Sequence, residues 1–229
     1  HNGPLTRPVN YYLEEYNKLH DLEFCKFASC EAQVAAVSDD IAYNNHDLSD
    51  GLRAGLFDMD EMYSLPVVGD CLKEVDKLYP NIEQSRKCHE ALRRVFALMV
   101  EDVIRTSKNR LSEFSNLTVD AVRSHNKTLI GFSGKFLDWL NQIKKFLFEK
   151  MYRHWKVNRL RFKASRVIQG LFEIFFSESD VLPEDWGKLA KQLGETERAR
   201  LICDYIAGMT DQYALMEYQK LTDNDFFMA

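Results

Sequence analysis

A segment in the first quarter of the chain combines acidic, phenolic and imidazole side chains at spacings that could support chemistry. If this segment is helical, Asp39, Tyr43 and Asp47 lie at positions i, i+4 and i+8 and share one face. At about 100° per residue, they span an arc of roughly 80°. His46 and Asp50 lie on or beside this arc. Because such a face needs a compensating cation to be buried, it predicts either a solvated surface or the wall of a ligand site.

The central tyrosine makes a sugar a reasonable ligand for this face. The Tyr43 ring can stack on a ribose, and a neighbouring carboxylate such as Asp47 can accept a hydrogen bond from a hydroxyl group. The residues alone leave the solvated surface open as the alternative.

Other motifs are weaker. The dipeptides His20-Asp21 and His46-Asp47 could each share a metal only if both side chains turned inward, and neighbours in a helix point about 100° apart. The sequence contains no glycine-rich phosphate loop, no GxSxG nucleophile turn and no HExxH zinc motif. We therefore assign no catalytic residue from motifs.

The composition narrows the class of protein. The 229 residues are 45% hydrophobic and carry a net charge of −5, which argues against nucleic-acid coating as the main role. No apolar run approaches the ~20 residues that span a bilayer. The five cysteines are widely spaced, as expected for free thiols in a reducing compartment. We expect a cytoplasmic protein without a membrane partner.

The pattern is helical almost throughout and predicts one all-α region, residues 1–229, with a continuous core. Ser29 is a suitable N-cap for the helix that carries the acidic face. An earlier helix, beginning near Pro8, is expected to bury Tyr12, Leu13, Tyr16 and Leu19. Further helices are predicted at 66–79, 83–112, 133–152, 157–178, after Pro183, and at 196–220.

Several blocks resemble one family. EAQVAAVSDDIAY at 31–43, GLRAGLF at 51–57 and DYIAGMTDQYA at 204–214 closely resemble bacterial deoxyguanosinetriphosphate triphosphohydrolase-like proteins of the HD-domain superfamily. HNGPL at 1–5 and MYRH at 151–154 are similar to family segments too. The resemblance covers essentially the whole chain, in the order that the family has these blocks.

The resemblance implies an HD-type helical bundle and a metal-dependent dNTP triphosphohydrolase. Residues 1–112 would complete the HD-type core, and 113–229 would form a C-terminal helical extension. In the family, one His, an adjacent His-Asp pair and a distant Asp hold a divalent metal, here expected to be Mg²⁺ or Mn²⁺. Water attacks the α-phosphorus and releases deoxynucleoside and inorganic triphosphate. By this resemblance Asp39 is the distant metal ligand, and Tyr43 and Asp47 contact the deoxyribose.

The other ligands of the family would lie upstream of His1. The chain starts at His1 and not at Met, so we expect it to be the C-terminal part of a longer protein and to be inactive alone. One carboxylate is too few to hold a catalytic divalent ion.

The family also suggests homo-oligomers with regulatory nucleotides. Arg86, His89, Arg93 and Arg94 are candidates for phosphate contacts, because arginine offers a forked pair of donors. The alternative is a solvated helix with pairs such as Glu90–Arg94.

Two functions of other classes remain open at this point. One is a non-catalytic helical module for oligomerisation or nucleotide sensing. The other is binding of single-stranded nucleic acid by the basic residues between 153 and 166, among which aromatic rings are interleaved.

Overall fold

A single helix carries every residue of the acidic face, which consists of Asp39, Tyr43, Asp47 and the neighbouring His46 and Asp50. The computed structural model describes residues 3–5, 8–114 and 118–223, so the family-like segment at 1–5 lies partly outside the described residues. In these ranges there are eleven α-helices and no β-strand, and the prediction of an all-α fold is confirmed. None of the described helices is both long and apolar enough to cross a bilayer.

The helices, in chain order, are α1 (Tyr11–Leu19), α2 (Cys30–Arg53), α3 (Met59–Tyr63), α4 (Val68–Leu78), α5 (Gln84–Leu111), α6 (Val119–Ser124), α7 (Gly134–Leu147), α8 (Trp155–Ser177), α9 (Glu184–Ala190), α10 (Glu195–Ala207) and α11 (Asp211–Thr222). A π-helical turn (Phe148–Tyr152) continues α7, and a 3₁₀ turn (Ser179–Val181) precedes α9. The chain divides into two compact units, residues 1–153 and 154–229.

The first unit is organised around α5. This helix packs against α4 and α2, and α2 also packs against α7. The shared core is apolar and includes Leu48 from α2, Leu72 from α4, Met99 from α5 and Ile143 from α7. One side of the acidic helix α2 is buried against α5 and α7, and this burial holds the helix in place.

The second unit has a core of its own, built from α8, α9 and α10. Its buried members include Leu171, Phe175, Ala190 and Ile202. The structure therefore has two cores, where the sequence pattern suggested one continuous core. The predicted division into an HD-type core at 1–112 and a helical extension at 113–229 is a statement about the function of each part of the chain, and it stays a prediction.

Two details of the helix prediction are wrong. The first helix begins at Tyr11 and buries none of its residues, and Leu19 is 86% exposed. The predicted helix at 196–220 is two helices. The first, α10, ends at Ala207 with Gly208 as its C-cap, and Thr210 caps α11 by accepting a hydrogen bond from the Tyr213 amide at 3.2 Å.

Buried polar side chains fix the loop that leads into α7. Gln33 Oε1 accepts hydrogen bonds from the amides of Leu129 (2.8 Å) and Ile130 (3.0 Å). Asp102, which is 3% exposed, accepts from both the amide (2.8 Å) and the hydroxyl (2.9 Å) of Ser133, the N-cap of α7. Because a buried carboxylate is costly unless it is hydrogen-bonded, these contacts hold Ser133, and with it the start of α7, against α5.

Candidate functional site

The acidic face lies on the side of α2 that turns away from the core. The helix begins after Ser29, whose hydroxyl accepts a hydrogen bond from the Ala32 amide at 3.4 Å. Asp39 and Tyr43 are exposed and Asp47 is half-buried. Opposite them, α2 buries residues such as Leu48. The predicted common face is therefore present as an accessible surface, and its i, i+4, i+8 spacing follows from helix geometry.

Asp39 lines a cavity of 350 Å³ together with Asp40 and Arg110. Lys144 on α7 donates to Asp40 Oδ1 at 3.1 Å, so Asp40 has a cationic partner. Arg110 donates to the carbonyl of Phe132 at 2.8 Å, on the wall of the same cavity. Within the described residues the Asp39 side chain has no hydrogen bond or ion pair, which leaves its carboxylate available to a ligand.

Tyr152 contacts the acidic face at Asp47, two helical turns from Asp39. The π-helical turn after α7 brings the Tyr152 hydroxyl to Asp47, to which it donates a hydrogen bond across 105 residues of sequence. Tyr43 also interacts with this hydroxyl. Burial raises the pKa of Tyr152 well above its usual range, and the hydrogen bonds to Asp47 and Tyr43 raise it further. Tyr152 therefore stays protonated and acts as a donor to a carboxylate.

Sequence reasoning did not include Tyr152 among the site residues. The family-like block MYRH at 151–154 was a signal, but nothing in that block indicates that its tyrosine meets α2. π-Helical turns within helices are frequent at functional sites. Here the turn follows the regular part of α7, and Lys150 within it pairs with Glu61 on α3, which helps to hold the turn in place.

The described residues do not form a complete metal centre. In that part of the chain no group of three or more His, Cys, Asp or Glu side chains is placed to hold a metal ion. Asp39 could supply one ligand. Asp40 already pairs with Lys144, and His46 is exposed about two turns along α2 from Asp39. A divalent ion at Asp39 would need ligands from outside the described residues.

Two of the four phosphate candidates are engaged in ion pairs on α5. Arg93 donates to both carboxylate oxygens of Glu90 at 3.0 and 2.8 Å. Arg94 contacts Glu90 at 3.1 Å and Glu74 at 2.7 Å. The predicted Glu90–Arg94 pair is therefore present, as expected for a solvated helix face with neighbouring charges.

The other two candidates, Arg86 and His89, are exposed near the start of α5. His89 and Arg53 line a cavity of 380 Å³, which shares no lining residue with the cavity at Asp39. The structure therefore places His89 at a different cavity from Asp39, and phosphate contact by any of the four stays a prediction.

Comparison with known proteins gives the class first. Residues 130–220 match the family description "phosphohydrolase-associated domain". This segment begins in the loop before α7, continues through the turn that carries Tyr152, and includes most of the second unit. The match, together with the all-helical fold, indicates a helical domain of the kind found in association with phosphohydrolases.

Relatives then give the family. The chain is 47% identical over 222 residues to the deoxyguanosinetriphosphate triphosphohydrolase-like protein of Roseobacter denitrificans, covering 96% of the chain and 57% of the relative. The corresponding proteins of Paracoccus denitrificans and Parvibaculum lavamentivorans are 48% and 42% identical, and 59% and 58% of their lengths are covered. The resemblance to the deoxyguanosinetriphosphate triphosphohydrolase-like family is confirmed, and this chain corresponds to its C-terminal portion. The chain spans less than two thirds of the length of these relatives.

Proposed function

We propose that the protein, at the full length of its relatives, hydrolyses a deoxynucleoside triphosphate to deoxynucleoside and inorganic triphosphate. The observation that carries this proposal is the accessible face of α2. It presents the unpaired carboxylate of Asp39 beside a cavity and, one and two turns further on, Tyr43 and Asp47. The names of the relatives support the reaction class.

Asp39 is proposed as one ligand of a divalent cation, Mg²⁺ or Mn²⁺. A bound cation of this kind would neutralise charge on the phosphates. The remaining ligands would come from outside the described residues, since those residues supply only one uncommitted carboxylate at the cavity. We therefore derive no chemical step from this chain alone and expect the chain alone to be inactive.

The sugar is proposed to lie against Tyr43 and Asp47. The Tyr43 side chain belongs to a residue that is 58% exposed, so its ring offers a surface for stacking. Asp47 accepts a hydrogen bond from Tyr152 through one oxygen. An ionised carboxylate has about four acceptor positions, so Asp47 can hold a sugar hydroxyl as well. The hydrogen bond from Tyr152 thereby orients the Asp47 carboxylate, which would accept a hydrogen bond from the sugar hydroxyl.

The test measures inorganic triphosphate by ion chromatography after incubation with a dNTP and Mg²⁺ or Mn²⁺. The full-length protein should release triphosphate, and Asp39→Asn should abolish release. Asp50→Asn is the matched control, because Asp50 is an exposed aspartate of the same helix whose nearest cation is Arg53 at 3.9 Å. Unchanged turnover in Asp39→Asn, or robust release by the chain alone, would refute the proposal.

A non-catalytic nucleotide-sensing or oligomerisation module is the second candidate. The exposed Tyr43 ring and the neighbouring Asp47 carboxylate support it, because these two side chains could bind a sugar without hydrolysing anything. In that case a dNTP should bind to the full-length protein with no triphosphate released, and Tyr43→Ala should still weaken binding.

We further propose a cytoplasmic homo-oligomer, in keeping with a dNTP substrate drawn from the soluble nucleotide pool. A regulatory nucleotide would place its phosphates near Arg86 and His89, where no ion pair is found among the described residues. Light scattering with and without added dNTP measures the assembly. A monomer under both conditions would contradict this part of the proposal.

A further inference from the structure

Tyr152 reaches Asp47 because the helical pitch changes at the end of α7. In a continuous α-helix, Tyr152 would lie about 140° around the axis from Leu147, which is buried in the core. The π-helical turn that continues α7 contains an additional residue, with the Arg153 amide donating to the carbonyl of Phe148, five residues earlier, at 3.0 Å. The additional residue leaves Tyr152 about 40° from Leu147, on the side of the helix that packs against the core.

A turn of this kind needs contacts that stabilise it. Turns closed by i→i+5 bonds are rare and occur mostly as single insertions in α-helices, so a return to α-helical pitch would rotate the residues that follow by about 100°. Such a rotation would carry the Tyr152 hydroxyl away from Asp47, to which it donates. The contacts that favour the π-helical turn therefore determine whether Asp47 keeps this donor.

An ion pair joins this turn to α3. Lys150 Nζ, in the middle of the turn, lies 2.5 Å from Glu61 Oε1 on α3. Tyr152 contacts α2 through Asp47, so the turn is held at two points on two different helices. The two side chains project from the turn within three residues of each other. A change of pitch would therefore disturb both contacts together.

Glu61 is held in position independently of Lys150. It is the N3 residue of the capping box of α3, in which the Asp58 amide donates to Glu61 Oε2 at 3.1 Å and the Glu61 amide donates to Asp58 Oδ1 at 3.0 Å. The hydrogen bonds from Lys150 and the Asp58 amide lower the pKa of the Glu61 carboxyl, so it is ionised at neutral pH. An acceptor that is already oriented loses little side-chain entropy when it pairs.

We propose that Glu61 and Lys150 are positioning residues of the sugar site. Their ion pair favours the π-helical turn and thereby places the Tyr152 hydroxyl at Asp47. This inference rests on the proposed function, in which Asp47 accepts a hydrogen bond from a sugar hydroxyl. A partly exposed ion pair contributes little to global stability, but a single turn opens at a far smaller free-energy cost than the whole fold. Without the pair, the turn would open more often and Asp47 would lose its donor.

Amide hydrogen exchange of the full-length protein tests the turn without any substrate. Where opening is reversible, the exchange rate follows the opening equilibrium, so Glu61→Gln should speed exchange at 148–153 up to about fivefold, the range for a partly exposed ion pair. Glutamine also serves at N3 of a capping box, so α3 should keep its protection. Lys150→Gln should have the same effect at 148–153, and Lys150→Arg should retain slow exchange because it keeps the positive charge.

Glu149→Gln is the matched control. Glu149 is an exposed residue of the same turn, and its nitrogen partner, Lys145 Nζ at 4.0 Å, belongs to α7. Because this pair joins the turn to α7 and not to α3, removing its negative charge should leave exchange at 148–153 unchanged. Unchanged exchange in both Glu61→Gln and Lys150→Gln, or an equal increase in Glu149→Gln, overturns the proposal.

Kinetics of the full-length protein separate positioning from a purely structural role. Glu61→Gln should raise the KM for a dNTP up to about fivefold with little change in kcat, because it weakens sugar binding and leaves Asp39 unchanged. In a Tyr152→Phe background the same substitution should have no further effect on KM, since no hydroxyl remains to be placed. Additive effects of Glu61→Gln and Tyr152→Phe on KM would show that Glu61 does not act through Tyr152 and would overturn the proposal.

Failure of this inference and failure of the proposed hydrolysis give different results. If the full-length protein releases no triphosphate, hydrolysis fails, and dNTP affinity measured by calorimetry replaces KM in the comparison of the same variants. If triphosphate is released but exchange at 148–153 in Glu61→Gln and Lys150→Gln equals that of the original protein, hydrolysis stands and the positioning role is refuted. Circular dichroism verifies that each variant keeps its helix content.

Discussion

The contact between Tyr152 and Asp47 predicts a measurable loss of stability in Tyr152→Phe. The substitution removes one hydroxyl donor to a carboxylate and leaves the ring in place. A hydrogen bond to a charged group contributes about 1.5–3 kcal/mol. Asp47 is only half-buried, so water compensates for part of the loss, and we expect a cost of about 1–2 kcal/mol.

The pH dependence of the lost stability tests whether it comes from the protonated Tyr152 hydroxyl. The pKa of Tyr152 is raised in the folded state by burial and by its hydrogen bonds, so the folded protein holds this proton more tightly than the unfolded chain does. The stabilisation is complete below the ordinary tyrosine pKa of about 10. It declines as the pH rises above that value toward the folded-state pKa, so the difference between the original protein and Tyr152→Phe should shrink there.

Urea unfolding measures the free-energy difference at neutral and alkaline pH, and the difference in phenolate absorbance between the two proteins follows the ionisation of Tyr152. Tyr16→Phe is the control, because Tyr16 is 53% exposed on a helix that buries nothing. The reasoning is refuted if Tyr152→Phe costs no more than Tyr16→Phe, or if the difference grows above pH ~10.

Three further substitutions test contacts that stabilise the first unit. Asp102→Ala removes the buried acceptor at the N-cap of α7 and should cost about 2–3 kcal/mol in urea unfolding, with faster amide exchange at the start of α7; a cost below 0.5 would contradict this, as would unchanged exchange. Gly51→Ala places a Cβ 2.3 Å from the buried Phe57 ring and should lower the melting temperature by overpacking, whereas Gly134→Ala, with open space at its Cβ, should not. Asp76→Asn should reduce acid sensitivity in melting, because a lysine and a tyrosine lower the pKa of this carboxyl and its stabilising contribution, complete above about pH 4, is lost as the pH falls further; equal acid sensitivity in both proteins would contradict it.

Local signals in the sequence predicted much of the helical framework. Ser29 was correctly identified as the N-cap of α2 from its residue type and position. The helix predicted at 83–112 is α5, Gln84–Leu111, whose apolar stripe supplies Val95 and Met99 to the core. Both inferences depend only on residues within a few turns of each other, which is the range over which helical periodicity is informative.

Predictions that depended on tertiary contacts were less successful. The aromatic residues of α1 suggested a buried face, but Tyr12 and Tyr16 are exposed, because periodicity cannot reveal whether a partner surface exists. The contact between Tyr152 and Asp47 joins residues 105 apart and depends on a π-helical turn, which has no simple sequence signal. The common face of Asp39 and Asp47 was predictable because one helix carries both.

The most direct test is a crystal structure of the full-length protein with a non-hydrolysable deoxynucleoside triphosphate analogue and Mn²⁺. We predict that the ion contacts Asp39, that the sugar stacks on Tyr43, and that Asp47 accepts a hydrogen bond from a sugar hydroxyl while keeping its bond to Tyr152. A nucleotide bound with its sugar elsewhere, or an ion bound without Asp39, would contradict the assignment of this face of α2 as the substrate site.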